Sequence, residues 1–194
     1  MAQQLNGPAI VPHSTYNEFR QYCLTHGVNF DYIFGNQCVD TPKLLWYQYG
    51  LTLETGNGYA YGCWTQRRAH NSRSPFISIY NKSEVKRGDC LVFNRHGSYN
   101  AGHICFADED YHGGSRIRVL GQNQGQGTGK GKASNVINYS WSYFLGAFRN
   151  TKWSSTPPTP PTPPPPGPQP GPSPTSDFGK KFPWFIYTNR IRNK

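Results

Sequence analysis

The sequence predicts an α+β domain in which helices come first and an antiparallel β-sheet follows. Two segments with helical spacing of apolar residues precede residue 50, and short β-rich segments separated by turn residues begin at residue 76. A dense run of prolines begins at residue 157, and such a run does not pack into a core. The chain of 194 residues is long enough for one such domain with an appendage.

The helical part is predicted from spacing and from residues that begin helices. Residues 14–26 place aromatic and apolar side chains on one helical face. Residues 42–50 predict a second helix, with Thr41 as its cap and Pro42 at its first position. Residues 54–75 are rich in Gly, Asn and Arg and predict a loop with short helical turns.

The second half of the domain is predicted to be a sheet. Its segments are rich in β-branched and aromatic residues and are bounded by Gly, Asn, Asp and Ser. Four segments predict strands and two more are candidates: residues 76–80, 89–93, 102–107 and 116–120, and residues 136–139 and 144–148.

Composition divides the chain into three parts. Residues 1–153 are predicted to form the globular domain, residues 154–176 a proline-rich linker, and residues 177–194 a short basic and aromatic C-terminal segment. The net charge of +10 attracts polyanions, and it leaves nucleic acid, anionic wall polymers and membrane surfaces open as partners.

The N-terminal residues lack the basic start and the apolar run of a signal peptide. No run of about 18 apolar residues is present, so no transmembrane segment is predicted. We therefore expect a protein that is made in the cytoplasm and that reaches any other place by a separate route.

Cys38 is the candidate nucleophile among five cysteines. It follows a glycine-bearing loop and precedes the second predicted helix, whose N-terminal partial positive charge favours a thiolate. His103 follows Gly102 and begins an apolar strand, so it is the candidate general base. The odd number of cysteines and the absence of a zinc-type spacing predict mostly buried, reduced thiols, although a disulfide remains an alternative.

Four motifs resemble, in order and spacing, those of the CHAP family, the cysteine, histidine-dependent amidohydrolases/peptidases best known from bacteriophage lysins. They are Gly-Asn-Gln-Cys-Val-Asp at residues 35–40, Lys-Arg-Gly-Asp-Cys-Leu-Val-Phe at 86–93, Ala-Gly-His-Ile-Cys-Phe at 101–106 and Val-Leu-Gly-Gln-Asn-Gln at 119–124. Residues 144–149 resemble the last strand of the family, and the resemblance covers residues 14–150.

The resemblance implies a papain-like fold in which helices pack on the sheet and Cys38 attacks an amide carbonyl of peptidoglycan. His103 would accept the thiol proton and later protonate the leaving amine. The backbone N–H of Cys38 would help to form the oxyanion hole, and Gln37 would either add a side-chain donor or play a structural role. This chemistry requires no cofactor. N-acetylmuramoyl-L-alanine amidases and cross-bridge endopeptidases both occur in the family.

The fourth motif departs from the family pattern. Many members carry a Glu that orients the catalytic His, and Gly121 stands at that position here. Asn123 is the expected replacement, because its side-chain oxygen is suited to accept from the ring nitrogen of His103 that is remote from the thiol.

The loop before the nucleophile resembles the calcium-binding loop of some lysins of this family. Asn29, Asp31 and Asp40 would supply side-chain oxygens, and Ile33 and Gly35 would supply carbonyl oxygens. The alternative is an Asx-rich turn that binds no metal. Calcium is therefore a candidate cofactor of the loop and not of the chemistry.

These features together predict a phage endolysin or a virion-associated lysin, with antimicrobial activity, that acts on bacterial peptidoglycan. Its basic surface and C-terminal segment are expected to contact anionic wall polymers, and virion proteins are a further expected partner. The alternative is a noncatalytic basic protein that binds cell wall or nucleic acid on a degenerate hydrolase fold.

Overall fold

A computed structural model describes residues 12–33, 35–71, 75–97, 100–125 and 132–153. The predicted linker and C-terminal segment lie outside these ranges. Within them, four helices precede six strands, which confirms the predicted α+β class. The helices are α1 (Tyr16–Thr25), α2 (Asp40–Gln48), α3 (Gly62–Thr65) and α4 (Arg67–Asn71). The strands are β1 (Phe76–Ile79), β2 (Cys90–Phe93), β3 (His103–Ala107), β4 (Arg116–Gly121), β5 (Asn135–Ser140) and β6 (Phe144–Asn150), with a 3₁₀ turn at Lys82–Glu84.

The six strands form one antiparallel sheet in the order β1-β6-β2-β3-β4-β5. The first residue of β3, His103, pairs with Phe93 at the end of β2. On its other side, β3 pairs Phe106 with Leu120 of β4. Because β3 and β4 are antiparallel, the residues that follow Gly121 run beside the start of β3.

Both faces of the sheet are buried, and alternate residues of a strand enter different cores. Cys90 and Val92 of β2 pack on the helical face, whereas Leu91 and Phe93 pack on the opposite face. Helix α2 contributes Trp46 to the first core, where its ring stacks on Phe76 with 3.8 Å between centroids. Covering both faces explains why the strands are apolar over most of their length.

Helix α1 forms where its spacing predicts it, with Thr15 accepting a hydrogen bond from the Glu18 backbone N–H at 3.2 Å. Helix α2 differs from the prediction because it begins at Asp40, and Thr41 does not cap it. The carboxylate of Asp40 accepts from the Gln37 backbone N–H at 2.7 Å. This bond closes a turn that leads directly into the helix, and Pro42 then occupies the first turn, where its missing N–H is tolerated.

All five cysteines are free thiols, and four of them are buried in the two cores: Cys23, Cys63, Cys90 and Cys105. Their predicted role as packing residues is thereby confirmed. None of the helices in the described part of the chain combines the length and the apolar character that crossing a membrane requires.

Candidate active site

The loop that carries Cys38 is held to the sheet by one buried side chain. Gln122, which follows β4, accepts from the backbone N–H of Val28 at 2.7 Å and donates to the Val28 carbonyl oxygen at 2.8 Å. The same amide nitrogen donates to the carbonyl oxygen of Gln37 at 3.1 Å. These bonds fix the loop at both of its ends beside the start of β3.

Cys38 lies half-buried in the turn before α2, against the start of β3. The backbone N–H of Ile104 donates a hydrogen bond to its sulfur. Burial raises the pKa of the Cys38 thiol to about 11, the Ile104 hydrogen bond opposes this rise in part, and the nearby carboxylate of Asp40 adds to it. The cysteine is therefore a neutral thiol at pH 7.

His103 is buried at the first position of β3, and a side-chain amide orients its ring. Its Nε2 lies 2.8 Å from Oε1 of Gln124. The ring also stacks on Tyr139 of β5, with 5.1 Å between centroids and 27° between planes. Burial lowers the pKa of His103 to about 4, although the Gln124 hydrogen bond acts in the opposite direction. The imidazole is therefore neutral at pH 7.

Gln124 has a fixed orientation because its amide nitrogen donates to two backbone carbonyl oxygens. These are the carbonyls of Asn135 at 3.0 Å and Val119 at 3.4 Å. The amide oxygen then faces His103 and accepts its Nε2–H, which leaves Nδ1 unprotonated as a base. A Cβ at Gly121 would lie 2.7 Å from that oxygen, so the missing side chain leaves the space that the Gln124 amide occupies.

The expectation that Asn123 orients His103 is wrong in this structure. Asn123 adopts a left-handed backbone with φ of 52°, which takes its side chain out of the alternation of β4. Its amide nitrogen donates to Oε1 of Gln37 at 3.3 Å. The sequence analysis missed Gln124. The signal that could have found it was Gly121, which stands where the resembled family carries the Glu that orients the histidine.

The structure places the predicted nucleophile against the strand that the predicted base begins. The sulfur of Cys38 contacts Ile104, which follows His103 directly on β3. Gln37 lies beside them and links the nucleophile turn to Asp40 through its backbone and to Asn123 through its side chain. Because the thiol and the imidazole are both neutral, a reaction that uses them would transfer the proton during attack, without a preformed ion pair.

The candidate calcium residues lie before and after Cys38 in sequence, from Asn29 to Asp40. Oδ1 of Asn29 and Oδ1 of Asp40 are buried without a hydrogen-bond partner. Asp31 accepts from the Ile33 backbone N–H at 2.9 Å and pairs with the ammonium of Lys43.

Two oxygens without partners fit the donor set of a hard cation, whereas the Lys43 ammonium already balances part of the negative charge. Gly35, the other predicted carbonyl ligand, is buried with a left-handed backbone. In the described ranges, no three or more His, Cys, Asp and Glu side chains cluster as a metal site.

No protein-family model and no curated protein matches this chain. Its fold is similar to that of solved structures. One is the wild-type endolysin LysIME-EF1, with a TM-score of 0.54 and 18% identity, over 74% of this chain and 67% of that one. Another is Ly7917, with a TM-score of 0.46 and 17% identity, over 71% of this chain and 63% of that one. The first likeness establishes a shared fold.

We expect the reactivity of Cys38 to increase with pH without a plateau in the neutral range. Labelling by iodoacetamide should accelerate about tenfold per pH unit between pH 7 and pH 10, because the thiolate fraction grows by that factor below a pKa of about 11. Mass spectrometry of the labelled peptide measures the rate. The Cys38→Ala variant reports the background from the buried thiols. A rate that levels off below pH 8 would reveal a thiolate–imidazolium pair and contradict this assignment.

Proposed function

We propose that this chain is a peptidoglycan hydrolase of the lysin type that cleaves an amide bond with Cys38 as nucleophile and His103 as base. The observation that carries the proposal is the hydrogen bond to the Cys38 sulfur from the backbone N–H of Ile104, the residue that follows His103 on β3. The fold shared with an endolysin supports it, as do the four CHAP-like motifs. The bond would be that of an N-acetylmuramoyl-L-alanine amidase or of an endopeptidase.

The proposed reaction proceeds through a thioester. As the Cys38 sulfur attacks the carbonyl carbon, Nδ1 of His103 accepts the thiol proton and a tetrahedral oxyanion forms. The backbone N–H of Cys38 would donate to that oxyanion, with Gln37 beside it as support. When the C–N bond breaks, the imidazolium gives its proton to the leaving amine. His103 then deprotonates a water that attacks the thioester, which releases a carboxylic acid and restores the thiol.

Gln124 would be the positioning residue for His103 in both steps. Its oxygen holds Nε2–H, so Nδ1 stays directed away from the amide as the proton acceptor. A neutral amide stabilises the imidazolium less than a carboxylate would. The imidazolium would therefore be short-lived and a stronger acid than one beside a carboxylate, which favours protonation of the leaving amine.

The proposed substrate places the protein at the bacterial cell wall, either during lysis or as part of a virion. The net charge of +10 suits contact with anionic wall polymers at long range. The C-terminal segment, residues 177–194, is proposed to add to this contact through its basic and aromatic residues. Virion proteins remain proposed partners, and none of these partners is required by the chemistry.

The central test is loss of lysis on removal of either catalytic group. Cys38→Ala should abolish clearing in a cell-wall zymogram, and His103→Ala should lower the rate about 10²–10⁴-fold, which is what general base catalysis contributes. Mass spectrometry of the released fragments identifies the bond. Comparable lysis by Cys38→Ala would refute the mechanism, and wall binding without cleavage by the wild type would favour the noncatalytic alternative.

Substitutions at Gln124 and Asn123 separate the two candidate positioning residues. Gln124→Ala should lower kcat about 10²-fold, whereas Asn123→Ala should change it by about twofold or less, because the Asn123 amide donates to Gln37 and Gln124 is the residue that accepts from His103. In Gln124→Glu, a carboxylate beside the ring should raise the His103 pKa and move the acidic limb of the pH–rate profile to higher pH. An unmoved limb, or a larger loss from Asn123→Ala, would show that Gln124 does not position His103.

Calcium is proposed to bind Asn29 and Asp40, and pH provides the test. Burial raises the pKa of Asp40 to about 6, so without calcium this group destabilises the fold as the pH rises through that value. Calcium should therefore raise the melting temperature more at pH 7.5 than at pH 4.5, where Asp40 is protonated. Asp40→Asn is the control and should lose this pH dependence. Identical melting curves in calcium and in chelator at pH 7.5 would rule the site out.

A further inference from the structure

A cationic and aromatic surface borders the proposed active site. We define the aromatic platform as Tyr59, Tyr61 and Arg95. The two tyrosine rings are nearly parallel, with 6.0 Å between centroids and 19° between planes. The guanidinium carbon of Arg95 lies 5.4 Å from the centroid of Tyr61. Tyr59 is half-exposed, at 50%, and Arg95 is exposed, so the platform faces solvent.

The platform is fixed to the residue that precedes His103. The backbone N–H of Tyr61 donates to the Ala101 carbonyl oxygen at 3.2 Å. A Cβ on Gly102 would lie 3.0 Å from the Cβ of Tyr61, so the two backbones are in close contact. The hydroxyl of Tyr61 accepts from the Asn57 side-chain amide at 2.6 Å. A ligand on the platform would therefore lie next to the base without any rearrangement of the loop.

Arg95 is placed as an anion receptor. It makes no ion pair with any residue of the described ranges, whereas Arg20 and Arg149 are each paired with a buried carboxylate. Stacking on Tyr61 holds the guanidinium in place, which reduces the entropy lost when it binds a ligand. Its planar fork of N–H donors matches a carboxylate in two parallel hydrogen bonds.

The residue that follows Arg95 in sequence belongs to a second ring pair. His96 stacks on Tyr143, with 4.4 Å between centroids and 11° between planes. The Tyr143 carbonyl oxygen accepts from the backbone N–H of Asn94 at 2.8 Å, which fixes this pair at the end of β2. Flat aromatic rings beside a cation suit a ligand that carries both apolar groups and negative charge.

We propose that the aromatic platform binds the peptide of peptidoglycan through a free carboxylate on Arg95, with the peptide chain packed on Tyr59 and Tyr61. This inference rests on the proposed function, since it assigns the substrate class of the same site. The carboxyl groups of peptidoglycan peptides are either free or amidated, and only a free carboxylate forms an ion pair with a guanidinium. Arg95 would therefore set a preference for unamidated substrate.

The test measures binding with chemistry removed. The Cys38→Ala chain is titrated calorimetrically with two soluble muropeptides that differ only in a free or an amidated carboxyl group. Adding Arg95→Ala should weaken binding of the free form about tenfold or more, as expected for hydrogen bonds between charged groups. It should leave binding of the amidated form unchanged, and Arg95→Lys should restore part of the loss. Arg116→Ala, at the far end of β4, is the control and should alter neither affinity.

The outcomes separate this inference from the proposed function. Equal effects of Arg95→Ala on both ligands, no effect on either, or no binding of either ligand by Cys38→Ala would overturn the carboxylate site. If the wild type still lyses walls in that case, the hydrolase proposal stands.

In the otherwise wild-type chain, Arg95→Ala should raise KM for the free form with kcat unchanged, as for lost binding common to the ground and transition states. A changed kcat with constant KM would assign Arg95 to the chemistry and contradict the proposal.

Discussion

The amide of Gln122 holds the nucleophile loop against the sheet, and the geometry of the whole candidate site depends on it. Residues 27–33 and 35–39 form no regular secondary structure, so their buried peptide groups need other partners. One buried side chain satisfies both polar groups of Val28 and the carbonyl of Gln37. Leaving such groups unsatisfied costs about 1–3 kcal/mol each. The approach of Cys38 to β3 is therefore set by a side chain of the sheet as well as by the helix that follows it.

The sequence predicts most of the fold because the sheet is buried on both faces and its strands are short, apolar and separated by turn residues. The spacing that predicts α1 is equally direct, with Thr15 in place to cap it. The start of α2 and the partner of His103 were not predictable in this way. The first depends on a bond between the Asp40 carboxylate and the Gln37 N–H, and the second on a left-handed residue, Asn123, that shifts the alternation by one position. Neither a single side chain-to-backbone bond nor a local backbone inversion leaves a periodic signal.

Gly121 and Gln124 form a complementary pair at the end of β4. Because Gly121 has no side chain, the amide of Gln124 can occupy the space next to it. The group that contacts the buried imidazole is therefore an uncharged amide. The thiol, the imidazole and the amide are all neutral at pH 7, as burial favours. The buried carboxylates of Asp89 and Asp108 are instead paired with arginines at other places on the sheet.

The neutral state of Cys38 bears on how the chain tolerates oxidants. Peroxides and disulfides react with thiolates, and a thiol with a pKa of about 11 is ionised in only about one molecule in ten thousand at pH 7. The other four thiols are shielded within the two cores. Cys38 is thus slow to form a sulfenic acid or a mixed disulfide. The burial that raises the pKa of this thiol therefore also keeps it in the reduced state.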